Sequence, residues 1–320
     1  MSKKPTILLC RRLPQAVTER AARDYNARTN PDDVLLGDTL AERAEGCDGL
    51  LVCSSERLNA AMIGRLPASV KMVASFSVGY EHIDIAAARS RGITVSNTPE
   101  VLNDATADIA MLLLLAASRR AHEGNATVRE DRWAGWHAHM LLGRQVTGKR
   151  LGVFGMGRIG QAVARRARGF GMNIHYHNRQ RLPAALEEGA TYHADPQSLL
   201  AASDFLTLHA PSSAETRGFL NQARIALLPD KAVVVNTARG DLVDDDALIA
   251  ALRSGKVFAA GLDVYAGEPK INPAYRSLDN VFLMPHLGSA TIETRDAMGF
   301  CALDNLDAFF AGQPLPNALT

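Results

Sequence analysis

Short apolar, β-branched runs alternate with longer stretches of helical periodicity through nearly the whole chain, the pattern of parallel sheets joined by crossover helices. Two series separate. The first holds the runs Thr6 to Cys10, Gly49 to Cys53, Met72 to Phe76 and Ile93 to Ser96. The second holds Leu151 to Phe154, Asn173 to Tyr176, Phe205 to Leu208, Ala232 to Asn236, Ala259 to Val264 and Val281 to Met284. Between them Pro99 precedes a helical stretch from about Val101 to Ala121, which reads as the connector. A last helical stretch, about Ile292 to Ala311, is expected to pack back on the first domain and make it discontinuous. The division expected is therefore 1–99 with 291–320 as one α/β domain and 100–290 as the other. No solenoid repeat or low-complexity segment interrupts this pattern.

Composition adds exclusions. The 320 residues suit two ordinary domains, and 47% apolar with 22% charged residues is a globular balance. With 35 basic against 34 acidic side chains, no net field draws the chain to nucleic acid or an anionic membrane. The basic knot Arg165, Arg166, Arg168 lies in a helical pattern and reads as a solvated face. Cys10, Cys47, Cys53 and Cys301 form no C-x-x-C pair and no dense framework, so reduced, mostly buried thiols are expected. The apolar run Ile7 to Cys10 is too short for a secretory segment, and Ile109 to Ala117 is about half a membrane span. A soluble, cytoplasmic protein is the expectation. Metal use is not expected: there is no H-E-x-x-H and no zinc-spaced cysteine cluster, and His137 with His139 lacks a third ligand.

Gly155, Gly157 and Gly160 spell G-M-G-R-I-G directly after the run Leu151 to Phe154 and before the helical pattern Gln161 to Arg168. In that context the first Gly permits a tight strand-to-helix turn, the second lets backbone approach a pyrophosphate, and the third allows close helix packing. The following helix start offers unpaired amides to phosphates. Residues 100–290 are thus expected to form a Rossmann coenzyme-binding domain, with 1–99 and 291–320 as the substrate-binding domain. Both domains read as Rossmann-like or flavodoxin-like, with the active site in the cleft between them. The end of the next strand, His177, Asn178, Arg179, Gln180, Arg181, lies where an adenosine ribose is read, about twenty residues beyond the turn. It carries no carboxylate for the two ribose hydroxyls of NAD. Arg179 and Arg181 can pair with a 2′-phosphate, so NADPH is expected to be preferred, with NADH as the secondary cofactor.

Three polar groups stand at or past the ends of later strands: Arg239 after VVVNTA, Glu268 after GLDVYAG, and His286 after VFLMP. Ligands of open parallel sheets bind at the carboxyl ends of strands. Reducing a 2-oxo acid needs a cation for its carboxylate and carbonyl and a proton donor suited to neutral pH. Arg239 supplies the cation's fixed fork, and His286 suits the donor, with a neighbouring Glu268 favouring its charged form. The alternatives are a structural ion pair for Arg239, a turn cap before Pro269 for Glu268, and a core histidine for His286. His209, in LHAP, is the rival acid and fits better as a pocket wall.

GMGRIG, VVNTARGDLVD, AAGLDVYAGEP and MPHLGSAT, in this order, resemble the D-isomer-specific 2-hydroxyacid dehydrogenase family, through almost the entire chain. The DATADIA helix start, the WAGW segment and the N-R-Q-R strand end look most like its glyoxylate and hydroxypyruvate reductases. The resemblance implies that Arg239, Glu268 and His286 are the catalytic three and that Val78 and Gly79 give backbone amides to the substrate carboxylate. It places Thr106, Thr237, Ala238, Asp263 and Gly288 at the nicotinamide end, and Arg158 and Ile159 on the pyrophosphate. Asn178, His209, Pro211 and Thr216 complete the candidate cofactor set. Ser54 and Ser55 fall on a loop facing the substrate. The resemblance also implies a homodimer through the coenzyme domain, with Trp133 and Trp136 in the pairing region. Trp136 then either enters the neighbouring subunit's pocket or serves as a packing aromatic. Small 2-oxo acids, glyoxylate and hydroxypyruvate, are the expected substrates. Other members, of 2-ketogluconate, D-lactate or phosphoglycerate type, are the alternatives within the family. A dinucleotide-sensing, corepressor-like binding protein is the alternative outside enzymes.

Overall fold

The structure, a computed structural model, describes residues 4–320. The chain divides into two compact units: one runs up to Leu102 and resumes at Ser289–Thr320, and the other is Asn103–Gly288.

The first unit is built on five parallel strands: β1 (Thr6–Leu9), β2 (Asn26–Arg28), β3 (Gly49–Val52), β4 (Met72–Ser75) and β5 (Thr94–Ser96), in the order β2-β1-β3-β4-β5. The runs TILL, GLLV and MVAS are buried at every position, as strands covered on both faces must be. The helix Ile292–Phe310 lies over this sheet, where a Cβ at Gly49 would sit 3.2 Å from both Leu306 and Phe310.

The second unit holds seven parallel strands: β6 (Arg150–Phe154), β7 (Asn173–His177), β8 (Thr191–Tyr192), β9 (Phe205–Leu208), β10 (Ala232–Asn236), β11 (Val257–Leu262) and β12 (Val281–Leu283). Their order is β12-β11-β10-β9-β6-β7-β8. From β6 the chain builds outward to β8 on one side and, after returning at β9, to β12 on the other. The topological switch point of the sheet is therefore the β6/β9 boundary, where a doubly wound sheet opens a crevice at its carboxyl edge. The helix Asn103–Ser118 is buried around most of its circumference because it is packed against both the sheet and the helix Arg158–Gly169. Truncating its fully buried Leu113 to Ala would cost roughly 2–5 kcal/mol.

The two-domain α/β architecture with parallel sheets is as the sequence pattern predicts. Two strands, β2 and β8, escape that pattern. Both are short and polar (NAR and TY) and sit at sheet edges, so neither needs an apolar run. The arginines of the Arg158–Gly169 helix are spent on ion pairs, Arg166 with Asp104 and Asp108 and Arg168 with Glu188. All four cysteines are free thiols. Among the described residues no helix is long and apolar enough to cross a membrane.

Candidate active site

The glycine turn leaves β6 at the switch point. Gly155 takes φ +93°, and a Cβ on it would lie 2.5 Å from the Ala210 amide nitrogen, so both conformation and space demand glycine. A Cβ at Gly160 would lie 2.5 Å from Gly155 O, which is how closely the helix folds back on its own turn. Gly157 differs: a Cβ there would meet nothing within 4 Å. Open space thus stands over the first amides of the Arg158–Gly169 helix, where the helix N-terminus is partly positive and a phosphate can approach the backbone. Arg158 is exposed and Ile159 partly buried at this helix start. The residues present fit a dinucleotide.

The neighbouring strand end braces the turn. Asn178 Oδ1 accepts the Met156 amide at 2.7 Å, and its Nδ2 donates to Met156 O at 3.3 Å. Arg179 is exposed beside it. Arg181 is differently placed: its Nε and Nη2 donate to Glu187 Oε1 and Oε2 at 2.8 and 3.0 Å. Across the turn, Thr216 Oγ1 donates to Pro211 O at 2.7 Å and accepts from Ser213 N at 2.8 Å, closing the loop after β9.

At the ends of β10, β11 and β12 the side chains are positioned by main chain. Asn236 Nδ2 donates to Arg239 O at 2.8 Å and Asn236 Oδ1 accepts from Ala238 N at 3.0 Å, which bends the chain between them and sets Arg239 at the rim. A Cβ at the next residue, Gly240, would fall 1.8 Å from the Tyr265 carbonyl carbon, so only glycine lets this turn lie against the Tyr265–Glu268 segment. Tyr265 in turn donates its hydroxyl to Leu262 O at 2.9 Å and Met284 O at 2.8 Å, tying the end of β11 to that of β12.

Glu268 has two tasks. Its Oε1 accepts the Tyr265 amide at 2.7 Å, and its Oε2 lies 2.7 Å from His286 Nδ1. Turn cap and histidine partner, alternatives in the sequence, are both true of it. Burial pushes the Glu268 carboxyl up, but hydrogen bonding to His286, the His286 charge, the Tyr265 amide and the Arg239 charge together hold it below the usual range. An ionised carboxylate only accepts, so Nδ1 carries a proton toward it and Nε2 is the ring nitrogen left for a substrate. His286 is not a core residue, since 46% of its side chain is exposed.

The His286 backbone sits at φ +58°, a left-handed conformation costing a non-glycine residue on the order of 1–3 kcal/mol. Asp263 holds it there. Its carbonyl accepts from His286 N at 2.9 Å, and its carboxylate accepts the Leu287 and Gly288 amides at 2.7 Å each. Burial raises the Asp263 carboxyl above the usual range in spite of those amides. Thr106 reaches the same corner: a Cβ at Gly288 would lie 3.3 Å from Asp263 Oδ2 and 3.5 Å from Thr106 Oγ1. His209 is caught between two hydroxyls, Thr207 Oγ1 at 2.8 Å and Thr237 Oγ1 at 3.3 Å. The protein packed around its ring pushes its pKa down to about 3. At pH 7 this imidazole is therefore neutral, which disfavours it as the general acid.

In the first unit, the loop after β4 has its carbonyls occupied: Val78 O accepts from Asn97 Nδ2 at 2.8 Å and Gly79 O from Ser77 Oγ at 2.7 Å. Among the described residues, nothing in the protein accepts from the Val78 or Gly79 amide. Ser54 and Ser55 are exposed after β3, Ser55 accepting from Arg11 Nη1 at 2.8 Å. Trp136 is 76% exposed, and Val128, Trp133 and Leu142, close to it in sequence, are exposed as well. Residues that sequence reasoning passed over are Asn236, Tyr265 and Glu187. Tyr265, three residues before Glu268, carried a readable signal in the carboxylate-capped turn that spacing allows.

Comparison with known proteins gives the family of the chain. Residues 111–288 match the family model described as "D-isomer specific 2-hydroxyacid dehydrogenase, NAD binding domain". The chain is 45% identical over 322 residues to the glycerate dehydrogenase of Hyphomicrobium methylovorum, covering 100% of both. Among solved structures it is similar to a Polaromonas sp. protein described as a D-isomer specific 2-hydroxyacid dehydrogenase, NAD-binding (TM-score 0.95, 51% identity, 99% of this chain and 100% of that one). It is also similar to the NADPH-dependent glyoxylate/hydroxypyruvate reductase of Sinorhizobium meliloti in complex with NADP and malonate (TM-score 0.87, 34% identity, 99% and 97%).

Proposed function

The chain belongs to the D-isomer specific 2-hydroxyacid dehydrogenase family, and from that premise we propose that it reduces small 2-oxo acids, hydroxypyruvate and glyoxylate, to D-2-hydroxy acids with NADPH. The observation that carries this reading is the 2.7 Å pair of His286 and Glu268 at the strand ends that also bear Arg239. When bound, the reduced dinucleotide supplies a hydride to the keto carbon. Arg239 holds the substrate carboxylate and carbonyl, and its positive charge stabilises oxygen as negative charge develops there. His286 gives the proton from Nε2 to that oxygen while Glu268 steadies the ring through Nδ1; oxidation reverses the transfer. The Val78 and Gly79 amides, unused among the described residues, are the proposed donors to the substrate carboxylate, with Ser54 on the same unit. Residues 100–290 are assigned to coenzyme and 1–99 with 291–320 to substrate.

The preference for NADPH is supported by a strand end without a free acid, where Asn178 is spent on Met156 and Arg179 stands exposed. Hydroxypyruvate is favoured by the glycerate dehydrogenase relative, because reducing its keto group yields glycerate. A homodimer through the coenzyme-binding region accounts for the exposed aromatic and aliphatic side chains around Trp133 and Trp136; a cytoplasmic location goes with this reading. The test is oxidation of NADPH, followed at 340 nm, on adding hydroxypyruvate, glyoxylate, pyruvate or 2-ketogluconate. Turnover highest with hydroxypyruvate supports the proposal. Dinucleotide binding without turnover of any 2-oxo acid would instead make the chain a sensor.

A further inference from the structure

The two arginines at the end of β7 are not equivalent. Arg181 is gripped by both oxygens of Glu187, at 2.8 and 3.0 Å. Glu187 is itself anchored from below: Tyr176, fully buried in β7, donates its hydroxyl to Oε1 at 2.5 Å, and that hydroxyl accepts the Leu182 amide at 3.0 Å. The Glu187 side chain is 8% exposed, whereas 64% of the Arg181 side chain is in solvent. The anchored partner is thus the acid, and the arginine is drawn down onto it. Arg181 and Tyr176 together push the Glu187 carboxyl down to about 2, so it is ionised throughout the working range. The Arg181 guanidinium also lies 5.8 Å over the Tyr192 ring.

Arg179 has no such captor. Among the described residues no carboxylate forms an ion pair with it, and Glu215 feels its charge only at longer range. For Arg181 to turn to a bound anion it must break two charge-assisted hydrogen bonds and leave a nearly buried carboxylate without its cation, an expensive state. Arg179 can turn at no such cost.

We propose that Glu187 is a specificity-determining residue of positioning type: by holding Arg181 it leaves Arg179 as the single guanidinium for the 2′-phosphate of the cofactor, and so limits the preference for NADPH over NADH. This rests on the reading that the adenosine ribose meets the end of β7. The carboxylate acts through Arg181 and touches no cofactor.

The experiment compares kcat/KM for NADPH and NADH, with one 2-oxo acid, in the wild type, Glu187→Gln, Arg181→Gln, Arg179→Gln and the Glu187→Gln/Arg181→Gln double variant. Gln keeps an acceptor for Tyr176 and removes the charge that grips Arg181. The NADPH:NADH ratio is expected to rise roughly three- to tenfold in Glu187→Gln, through KM for NADPH, the size of one added exposed ion pair or somewhat more. The double variant returns the ratio to the wild-type value. Arg181→Gln alone leaves it within about twofold, while Arg179→Gln lowers it about tenfold. An unchanged ratio in Glu187→Gln overturns the proposal, and so does an Arg181→Gln loss as large as that of Arg179→Gln. If Glu187→Gln does not fold, the two single arginine variants still decide. A wild type that favours NADH rejects the NADPH reading by itself, whereas the change on Glu187→Gln judges the clamp from whichever ratio it starts.

Discussion

The two halves of the second unit's carboxyl edge hold their polar side chains in different ways. At the ends of β10, β11 and β12 the backbone does the holding: Asn236 binds the main chain of Ala238 and Arg239, Glu268 binds the Tyr265 amide, and Asp263 binds the amides of Leu287 and Gly288. At the end of β7, beyond Asn178, side chain holds side chain: Arg181 on Glu187, Glu187 on Tyr176. Backbone-held groups are placed within a few tenths of an ångström by the fold itself, as acid and cation must be for proton and hydride transfer. Side-chain-held groups can be released by changing one partner. The first arrangement suits chemistry that must not vary, and the second suits cofactor choice.

Removing His286 strikes the backbone-held half hardest. His286→Ala should lower kcat on the order of 10³-fold, the usual worth of a positioned general acid, with cofactor KM within about twofold. Stopped-flow and steady-state rates, with circular dichroism to confirm the fold, check it; a loss under about tenfold would move the acid elsewhere. Arg239→Lys comes next. Because a lysine offers a point charge in place of a fork, kcat/KM for the 2-oxo acid should fall about 10²-fold, while dinucleotide affinity by fluorescence titration should not move. Equal losses for dinucleotide and 2-oxo acid would contradict the division of labour between the two halves.

The same contrast explains what could be read from the sequence. Strands such as AVVVN and FLTL announce themselves because burial on both faces demands a mostly apolar run. Edge strands NAR and TY face no such demand and are silent. Arg239, Glu268 and His286 were legible because each stands just past such a run, where a parallel sheet opens to ligands. Arg181 was legible only as a cation. Its capture depends on how the short helix Ala184–Glu187 turns one carboxylate toward Tyr176, and neither composition nor periodicity encodes that direction. The left-handed backbone of His286 was likewise hidden, because it is imposed by Asp263 from a different strand.

Asn178→Asp acts on the cofactor half alone. Aspartate keeps the acceptor for the Met156 amide, loses the weaker 3.3 Å donation to Met156 O, and adds a negative charge beside Arg179. The NADPH:NADH ratio should fall roughly three- to tenfold, since the interaction is solvent-exposed and screened, and kcat with saturating cofactor should hold. A change in kcat would mean that the brace on the glycine turn reaches the chemical end, against the independence of the two halves.

The smallest effect concerns the charge on Glu268 and appears in stability. Burial alone would raise this carboxyl, but His286, the Tyr265 amide and Arg239 bring it below its ordinary 4.5. A folded-state value below the unfolded one means that the unfolded chain binds the proton more tightly. The stabilisation from this group is therefore complete above about pH 4.5 and is lost as the pH falls through the lower folded value. Glu268→Gln removes that dependence: its melting temperature should lie roughly 2–4 °C below the wild type at pH 7, as expected for a part-exposed pair of up to about 1 kcal/mol. The two curves should converge as the pH falls below 4.5 and the wild-type carboxyl takes up its proton. A gap that widened as the pH fell would show the opposite sign, and the carboxylate at the centre of the backbone-held half would have to be neutral in the folded protein.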